Sequence, residues 1–117
     1  MANNRIYISG PISGRTREEY MRHFREAEEY LRDEGLKPVN PTRFFLCRLY
    51  GLLEKIVGGQ TAYRTVLVYD LWRMLRCQGV YMLEGWQMSR GACVEHDVAE
   101  HFNIEINEEN DEHKKSI

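Results

Sequence analysis

The chain has 117 residues, of which 43% are apolar and 29% charged, and its formal net charge is −2. This length predicts one domain with a single core, and the weak negative charge gives no electrostatic basis for nucleic-acid or membrane binding. No apolar signal region or membrane span is recognisable. The three cysteines lie far apart and fit neither a disulfide framework nor a zinc site, so we expect a cytoplasmic protein.

The first predicted element is a strand at residues 5–9, in which Ile6 and Ile8 alternate with Tyr7 and Ser9. A loop of sequence GPISGRT follows and leads into a helix. Its two glycines, two hydroxyls and Arg15 suit an anion cradle of backbone N–H groups with a charged clamp. The loop contains no dinucleotide or P-loop fingerprint, and a plain glycine-rich turn is the alternative interpretation.

Residues 17–34 predict a helix with charges around a single apolar stripe. The stripe consists of Tyr20, Phe24, Ala27 and Leu31. Gly35 ends the helix, and residues 36–39 form a second strand before Asn40-Pro41. A right-handed β-α-β crossover makes the two strands parallel neighbours.

Residues 42–60 form an apolar helical segment that is broken at Gly58-Gly59. It carries more apolar side chains than a helix needs in order to pack one face against the core of a small domain. The segment is therefore either a lid over a site or a surface that a second subunit covers. We favour the interface and expect a homodimer or a higher homo-oligomer.

Residues 61–76 predict another helix, whose core stripe contains Leu67, Leu71, Met74 and Leu75. Asp70 lies at the margin of this stripe. An exposed aspartate there would be unremarkable, but one beside an apolar stripe can reach a pocket under the helix.

Residues 80–83 read as a buried strand, and a helix begins after Ser89, a good N-cap residue. Gly91 allows the backbone to approach a ligand closely. Glu95 lies on the same stripe as Val98, Ala99 and Phe102, which directs its carboxylate inward. That position is over the carboxyl ends of the strands, where open α/β sheets bind ligands. The alternative is that Glu95 pairs with an arginine or marks the wet edge of the stripe.

Residues 104–106 predict a last short strand, and residues 107–117 a charged tail. The order of elements predicts an α/β fold in a single domain over residues 1–106. We expect a three-layer, flavodoxin- or Rossmann-like sandwich around a mostly parallel sheet of about four to five strands.

Four sequence blocks resemble the nucleoside 2-deoxyribosyltransferase-like superfamily, and most of all a small bacterial and phage branch defined only as a domain of unknown function. The blocks are Ile6-Tyr7-Ile8-Ser9-Gly10-Pro11-Ile12, Asn40-Pro41, Asp70-Leu71 and Ser89-x-Gly91-Ala92-x-x-Glu95. The resemblance spans residues 5–106, although the segment 42–60 has no clear counterpart in the enzymes of the superfamily.

The resemblance implies cleavage or transfer of the N-glycosidic bond of a (deoxy)nucleoside or nucleoside 5′-monophosphate. Glu95 would attack the anomeric carbon, Asp70 would help to protonate the departing base, and Tyr7 would orient the nucleophile and the sugar. The residues implied to hold the substrate and its 5′ group are Ser9, Gly10, Pro11, Ser13, Gly14, Arg15, Ser89 and Gly91. No metal or cofactor is expected.

Two carboxyl groups with opposite tasks need separated pKa values. Glu95 lies near a helix N-terminus and is expected to be the anion, whereas Asp70, desolvated beside Met74, is expected to hold a proton. A nucleotide-binding or sequestering module without turnover is the alternative function, and an interaction protein with a vestigial pocket is a third.

Overall fold

The computed structural model describes residues 3–12, 14–44 and 49–109. Four strands and four helices make up the described chain, with 3-10 turns at Pro41–Arg43 and Trp86–Met88. In chain order, the elements are β1 (Arg5–Ser9), α1 (Arg17–Asp33), β2 (Lys37–Val39), α2 (Tyr50–Val57), α3 (Gly59–Leu75), β3 (Gly79–Met82), α4 (Arg90–His101) and β4 (Glu105–Glu108).

The four strands form one parallel sheet in the order β2-β1-β3-β4. Tyr7 of β1 pairs with Val39 of β2 on one side and with Val80 of β3 on the other. The first crossover leads from β1 to β2 on one side of β1, and the second leads from β2 to β3 on its other side. This reversal creates a topological switch point at the carboxyl ends of β1 and β3. The predicted α/β fold is confirmed.

Helix α1 covers one face of the sheet. Thr16 caps the helix by accepting a hydrogen bond from the Glu19 N–H at 3.1 Å, and Gly35, with φ of +80°, lets the chain turn away at the other end. The core on this side joins strand residues to the predicted stripe of the helix. It consists of Ile6, Ile8, Phe24, Ala27, Leu31, Tyr81 and Leu83.

Helices α3 and α4 cover the opposite face, which completes three layers. Because successive side chains of a strand point to opposite faces, Tyr7 and Ser9 project toward these two helices while Ile6 and Ile8 face α1. The core on this side consists of Tyr7, Phe44, Met74, Cys77, Val80, Met82, Ala92 and Ala99.

Two side chains and one strand boundary differ from the sequence-based expectation. Leu75 and Phe102, predicted to be core residues, are 44% and 58% exposed; Leu75 is the last residue of α3, and Phe102 is the C-cap of α4. Strand β4 continues to Glu108, which pairs with Met82 of β3, so the strand includes the first residues of the expected tail. Residues 110–117 lie outside the described residues.

The apolar segment 42–60 contains helix α2, and Gly58, with φ of +90°, separates it from α3. Helix α2 packs beside α3, yet none of its residues is buried. Large apolar side chains of both helices are exposed to solvent. They are Leu52, Ile56, Val57, Val68, Trp72 and Leu75.

Candidate functional site

Glu95 is buried at the switch point, with a hydroxyl group on each of its carboxylate oxygens. The Tyr7 hydroxyl donates a hydrogen bond to Oε2 at 2.6 Å, and the Ser9 hydroxyl donates to Oε1 at 2.5 Å. Ser89 begins α4 as its N-cap, accepting from the Ala92 N–H at 3.3 Å, and so sets the position of Glu95 along the helix. The carboxylate is fixed over the carboxyl end of β1, as its place on the helix stripe predicts.

A cavity of about 310 Å³ opens beside this carboxylate. Its size is at the lower end of the range for small-molecule sites, so it suits a single compact ligand. Aromatic rings contribute much of the lining, from α1 (Tyr20 and Phe24), from α2 (Tyr50) and from α3 (Tyr63). These flat aromatic surfaces suit a ligand that contains a planar ring, and the carboxylate beside them can interact with a positively charged group.

Asp70 reaches the same cavity from α3. Its Oδ1 atom is buried, and no described residue forms a hydrogen bond with it. Burial, together with the nearby charge of Glu95, raises the pKa of Asp70 to about 8, although Arg73 partly opposes this shift. This shift favours the protonated form of Asp70 near neutral pH.

Burial raises the pKa of Glu95 to about 7, while the hydrogen bonds from Ser9 and Tyr7 hold it down by stabilising the anion. The expectation of a readily ionised Glu95 was based on its helix position and did not include this desolvation. The order of the two pKa values still agrees with the expected division, because Glu95 loses its proton before Asp70. Burial and the same carboxylate raise the pKa of Tyr7 well above its ordinary value, so Tyr7 remains a donor.

The structure gives the other predicted ligand-binding residues different positions. Gly10, Ser89 and Gly91 line the cavity. Gly10 also has a packing role, since a Cβ there would be only 2.7 Å from the Cβ of Leu83.

Ser9 holds Glu95 and does not line the cavity. Pro11, which packs beside Gly85, and Gly14, an exposed turn residue with φ of +82°, are also absent from the lining, and Ser13 lies outside the described residues.

Arg15 is not among the described residues that line the cavity, and its expected role as a clamp on the 5′ group stays a prediction. Its Nη1 atom donates to Nδ1 of His23 at 2.8 Å, and its Nη2 lies against Gly85. His23 in turn contacts the Glu109 carboxylate at 2.6 Å through Nε2. This chain of contacts draws the guanidinium toward the end of β4, and the cavity lining that the structure describes contains neither Lys nor Arg.

Tyr63 is a cavity residue that the sequence reasoning missed. Its hydroxyl oxygen is buried and has no hydrogen-bond partner among the described residues. The signal was present, because Tyr63, Leu67 and Asp70 follow one another at helical spacing on the same face of α3. Tyr20 and Phe24 were predicted as core residues, and they also form part of the cavity wall.

A family model described as "Domain of unknown function (DUF4406)" matches residues 4–108. The matched segment contains all four strands and every cavity residue discussed above. No curated protein and no solved structure matches the chain significantly. The match covers most of the chain, and the protein therefore belongs to the DUF4406 family.

Proposed function

We propose that the protein cleaves or transfers the N-glycosidic bond of a nucleoside, a 2′-deoxynucleoside or one of their 5′-monophosphates. One observation carries the proposal: Tyr7, Asp70 and Glu95, which are distant in sequence, converge on one cavity at the switch point of the sheet. The resemblance of the blocks around these residues to nucleoside 2-deoxyribosyltransferase-like enzymes supports the same reaction.

In this mechanism, the ionised Glu95 attacks the anomeric carbon as the bond to the base breaks. The electron pair of the C–N bond leaves with the base, and the carboxylate forms a glycosyl ester or stabilises the sugar cation. Tyr7 and Ser9 hold the two carboxylate oxygens, so the nucleophile is oriented before the substrate arrives. Water or a second base then attacks the same carbon, the ester bond to Glu95 breaks, and the ionised Asp70 takes up the proton that the attacking group loses.

Asp70 serves as the general acid in the first step. Its raised pKa keeps the carboxyl group protonated at neutral pH, and its unpartnered Oδ1 has no competing hydrogen bond in the described residues. The proton passes to the nitrogen of the leaving base and neutralises the charge that develops there. Glu95 and Asp70 thus act from one cavity with opposite protonation states.

Measurement of free base tests this function. The protein is incubated with ribonucleosides, 2′-deoxynucleosides and their 5′-monophosphates, with and without a second free base, and the products are separated by chromatography. Release or exchange of base from at least one substrate is the expected result. Tight binding without release from any of them would favour a non-catalytic nucleotide-binding module, and an absence of both binding and release would contradict both functions.

We also propose that the protein is a homodimer that forms through α2 and α3. Val68, Trp72 and Leu75 follow one another at spacings of four and three, which is the seam of a helix pair, and the opposite face of α3 already packs on the sheet. A helix that is apolar on both sides is normally covered on both.

A second copy fits best because it presents the same seam for a twofold contact. The six exposed side chains offer roughly 500 Å² per copy, or about 1,000 Å² in total, which is enough for a specific interface.

Light scattering at micromolar concentration is expected to give a dimer mass for the wild type and a monomer mass for Trp72→Glu, because the charge would lie in the apolar contact. Phe102→Glu is the matched control: it introduces the same charge at a residue that is 58% exposed at the end of α4, and the dimer is expected to persist. A monomeric wild type, or equal dissociation of both variants, would contradict the interface.

We place the protein in the cytoplasm. Cys77 and Cys93 are free thiols, as a reducing compartment would keep them. Over the described ranges, no helix combines the length and apolar character needed to cross a membrane.

A further inference from the structure

Glu95 is a buried carboxyl group that no cation neutralises within the described part of the chain. Its side chain is 6% exposed, and none of the ion pairs formed by the described residues includes it. The hydrogen bonds from the Ser9 and Tyr7 hydroxyls are therefore the contacts that favour its charged form. A buried charge without such donors would be costly, so the anion depends on these two groups.

The other titratable groups around Glu95 do not replace these donors. Tyr7 on β1 and Asp70 on α3 are acids, and the charge of Glu95 raises the pKa of each. On α4 itself, the ring of His96 is stacked on Trp86 with their centroids 4.4 Å apart. Neither the facing elements nor the helix of Glu95 therefore provides a positive partner within the described residues.

Ser9 and Tyr7 hold Glu95 from different positions. Tyr7 belongs to the cavity lining, whereas Ser9 is 1% exposed and lies outside that lining. Ser9 pairs with Met82 of β3, and its carbonyl accepts a hydrogen bond from the Leu83 N–H at 2.7 Å, so the sheet fixes its backbone. In the described chain, Oε1 of Glu95 is the acceptor of the Ser9 hydroxyl. A ligand in the cavity cannot supply another acceptor to a residue outside the lining.

Formation of an ester makes the two oxygens of Glu95 unequal. One becomes the carbonyl oxygen and stays a good acceptor, whereas the other is bonded to the sugar carbon and becomes a weak one. A buried donor that loses its acceptor costs free energy. Oε1 must therefore remain the acceptor of Ser9 during the reaction, while Oε2 borders the cavity on the side of Tyr7.

We propose that Oε2 of Glu95 forms the bond to the anomeric carbon and that Ser9 is a positioning residue, which holds Oε1 in the free enzyme, in the ester and during its breakdown. This assignment rests on the proposed function and gives Ser9 a different role from the substrate contact that the family resemblance implies. As an electron pair of Oε2 forms the C–O bond, the C–N pair leaves with the base and Oε1 becomes the carbonyl oxygen. When the ester breaks, the C–O pair returns to the carboxylate, and the Ser9 hydroxyl stabilises the charge that returns to Oε1.

The first test titrates Glu95 by ¹³C NMR of its carboxyl carbon, in an Asp70→Asn background so that no second acid titrates in the cavity. Ser9→Ala is expected to raise the pKa of Glu95 by about 1, because the lost hydrogen bond favours the anion. Ser9→Cys fills a similar space with a weak donor and is expected to keep most of that rise, and it also serves if Ser9→Ala does not fold. Thr42→Val is the control, since it removes a buried hydroxyl that contacts Asn40, and the pKa of Glu95 is expected to stay unchanged.

The second test measures base release with Asp70 intact. At about pH 6.5, Ser9→Ala is expected to lower kcat/KM by roughly 10-fold, since a smaller fraction of Glu95 is ionised when its pKa is higher. Affinity for the nucleoside, measured by calorimetry, is expected to change by less than about 2-fold. In a crystal structure of the ester formed with a 2′-deoxy-2′-fluoro nucleoside, whose fluorine slows breakdown, the Ser9 hydroxyl is expected to donate to the carbonyl oxygen.

Three titration results would overturn the role of Ser9: an unchanged pKa of Glu95 in Ser9→Ala, an equal rise in Thr42→Val, or recovery of the wild-type value in Ser9→Cys, which would make the effect one of packing. Loss of affinity at unchanged kcat would return Ser9 to substrate binding, and an ester whose carbonyl oxygen does not contact Ser9 would reject Oε2 as the attacking atom.

Failure of the proposed function gives a different pattern. A raised pKa of Glu95 in Ser9→Ala, without base release from any nucleoside by the wild type, would reject the reaction and with it the assignment of Oε2. Base release by an enzyme whose Glu95 titrates alike with and without the Ser9 hydroxyl would reject the role of Ser9 alone.

Discussion

Replacement of Glu95 by glutamine is expected to lower the rate of base release by roughly 10³-fold or more while changing ligand affinity little. Glutamine keeps the shape of the side chain and can still form hydrogen bonds with the Tyr7 and Ser9 hydroxyls. It lacks the negative charge that meets the developing sugar cation and the nucleophilic oxygen that forms the ester. The lost interaction belongs mainly to the transition state, so kcat carries the effect. Single-turnover kinetics and calorimetry measure the two quantities separately.

Glu28→Gln is the matched control for this variant. Glu28 is also a buried glutamate, but it forms a two-pronged ion pair with Arg43, at 2.7 and 2.8 Å, and does not line the cavity. Loss of that pair is expected to lower the melting temperature without changing kcat. Full activity of Glu95→Gln on the best substrate would make Glu95 a structural residue and would reject the mechanism.

The pH dependence of stability separates loss of function from loss of fold. The folded-state pKa values of Glu95 and Asp70, about 7 and about 8, lie above those of the unfolded chain, near 4. The native protein therefore binds more protons between these limits, and its stability falls as the pH rises through them. Glutamine and asparagine do not titrate. The melting temperature of Glu95→Gln is accordingly expected to fall less than that of the wild type as the pH rises through about 7, and a cooperative transition would show that the variant is folded.

The position of the site could be predicted because it depends on local rules. Alternation along β1 directs Tyr7 and Ser9 to the side opposite Ile6 and Ile8, and helical spacing from the Ser89 cap directs Glu95 inward. Parallel strands then bring both sets to the same edge of the sheet. These relations require only the period of each element and the handedness of the crossover.

The interactions of Arg15 could not be predicted in this way. Its partner His23 is itself held by Glu109, 86 residues further along the chain, and that contact exists only because β4 runs on to Glu108 beside β3. The raised pKa of Glu95 could not be predicted for a similar reason, since the sequence shows its position on the helix but not the desolvation that tertiary packing imposes on it. Tertiary contacts decide where a flexible cation binds and how strongly a buried acid holds its proton.

Asp70→Asn is expected to lower kcat/KM for an ordinary nucleoside by roughly 10²- to 10³-fold and to change the shape of its pH profile. In the wild type, activity is expected to rise as Glu95 ionises near pH 7 and to fall as Asp70 loses its proton near pH 8, which would give a bell-shaped curve. Asparagine has no proton to lose in this range. The variant should therefore retain the rise near pH 7 and lack the fall at higher pH.

A substrate whose base needs no proton to depart isolates the chemical role of Asp70. The purine of 7-methyl-2′-deoxyguanosine is already cationic and leaves as a neutral base, so Asp70→Asn is expected to cost less than about 10-fold with this nucleoside. Comparison of kcat/KM for 7-methyl-2′-deoxyguanosine and 2′-deoxyguanosine in the two proteins measures the difference. An equal loss with both substrates, or an unchanged alkaline limb, would show that Asp70 orients the ligand and does not protonate the base, and the general acid would then have to be another group in the cavity.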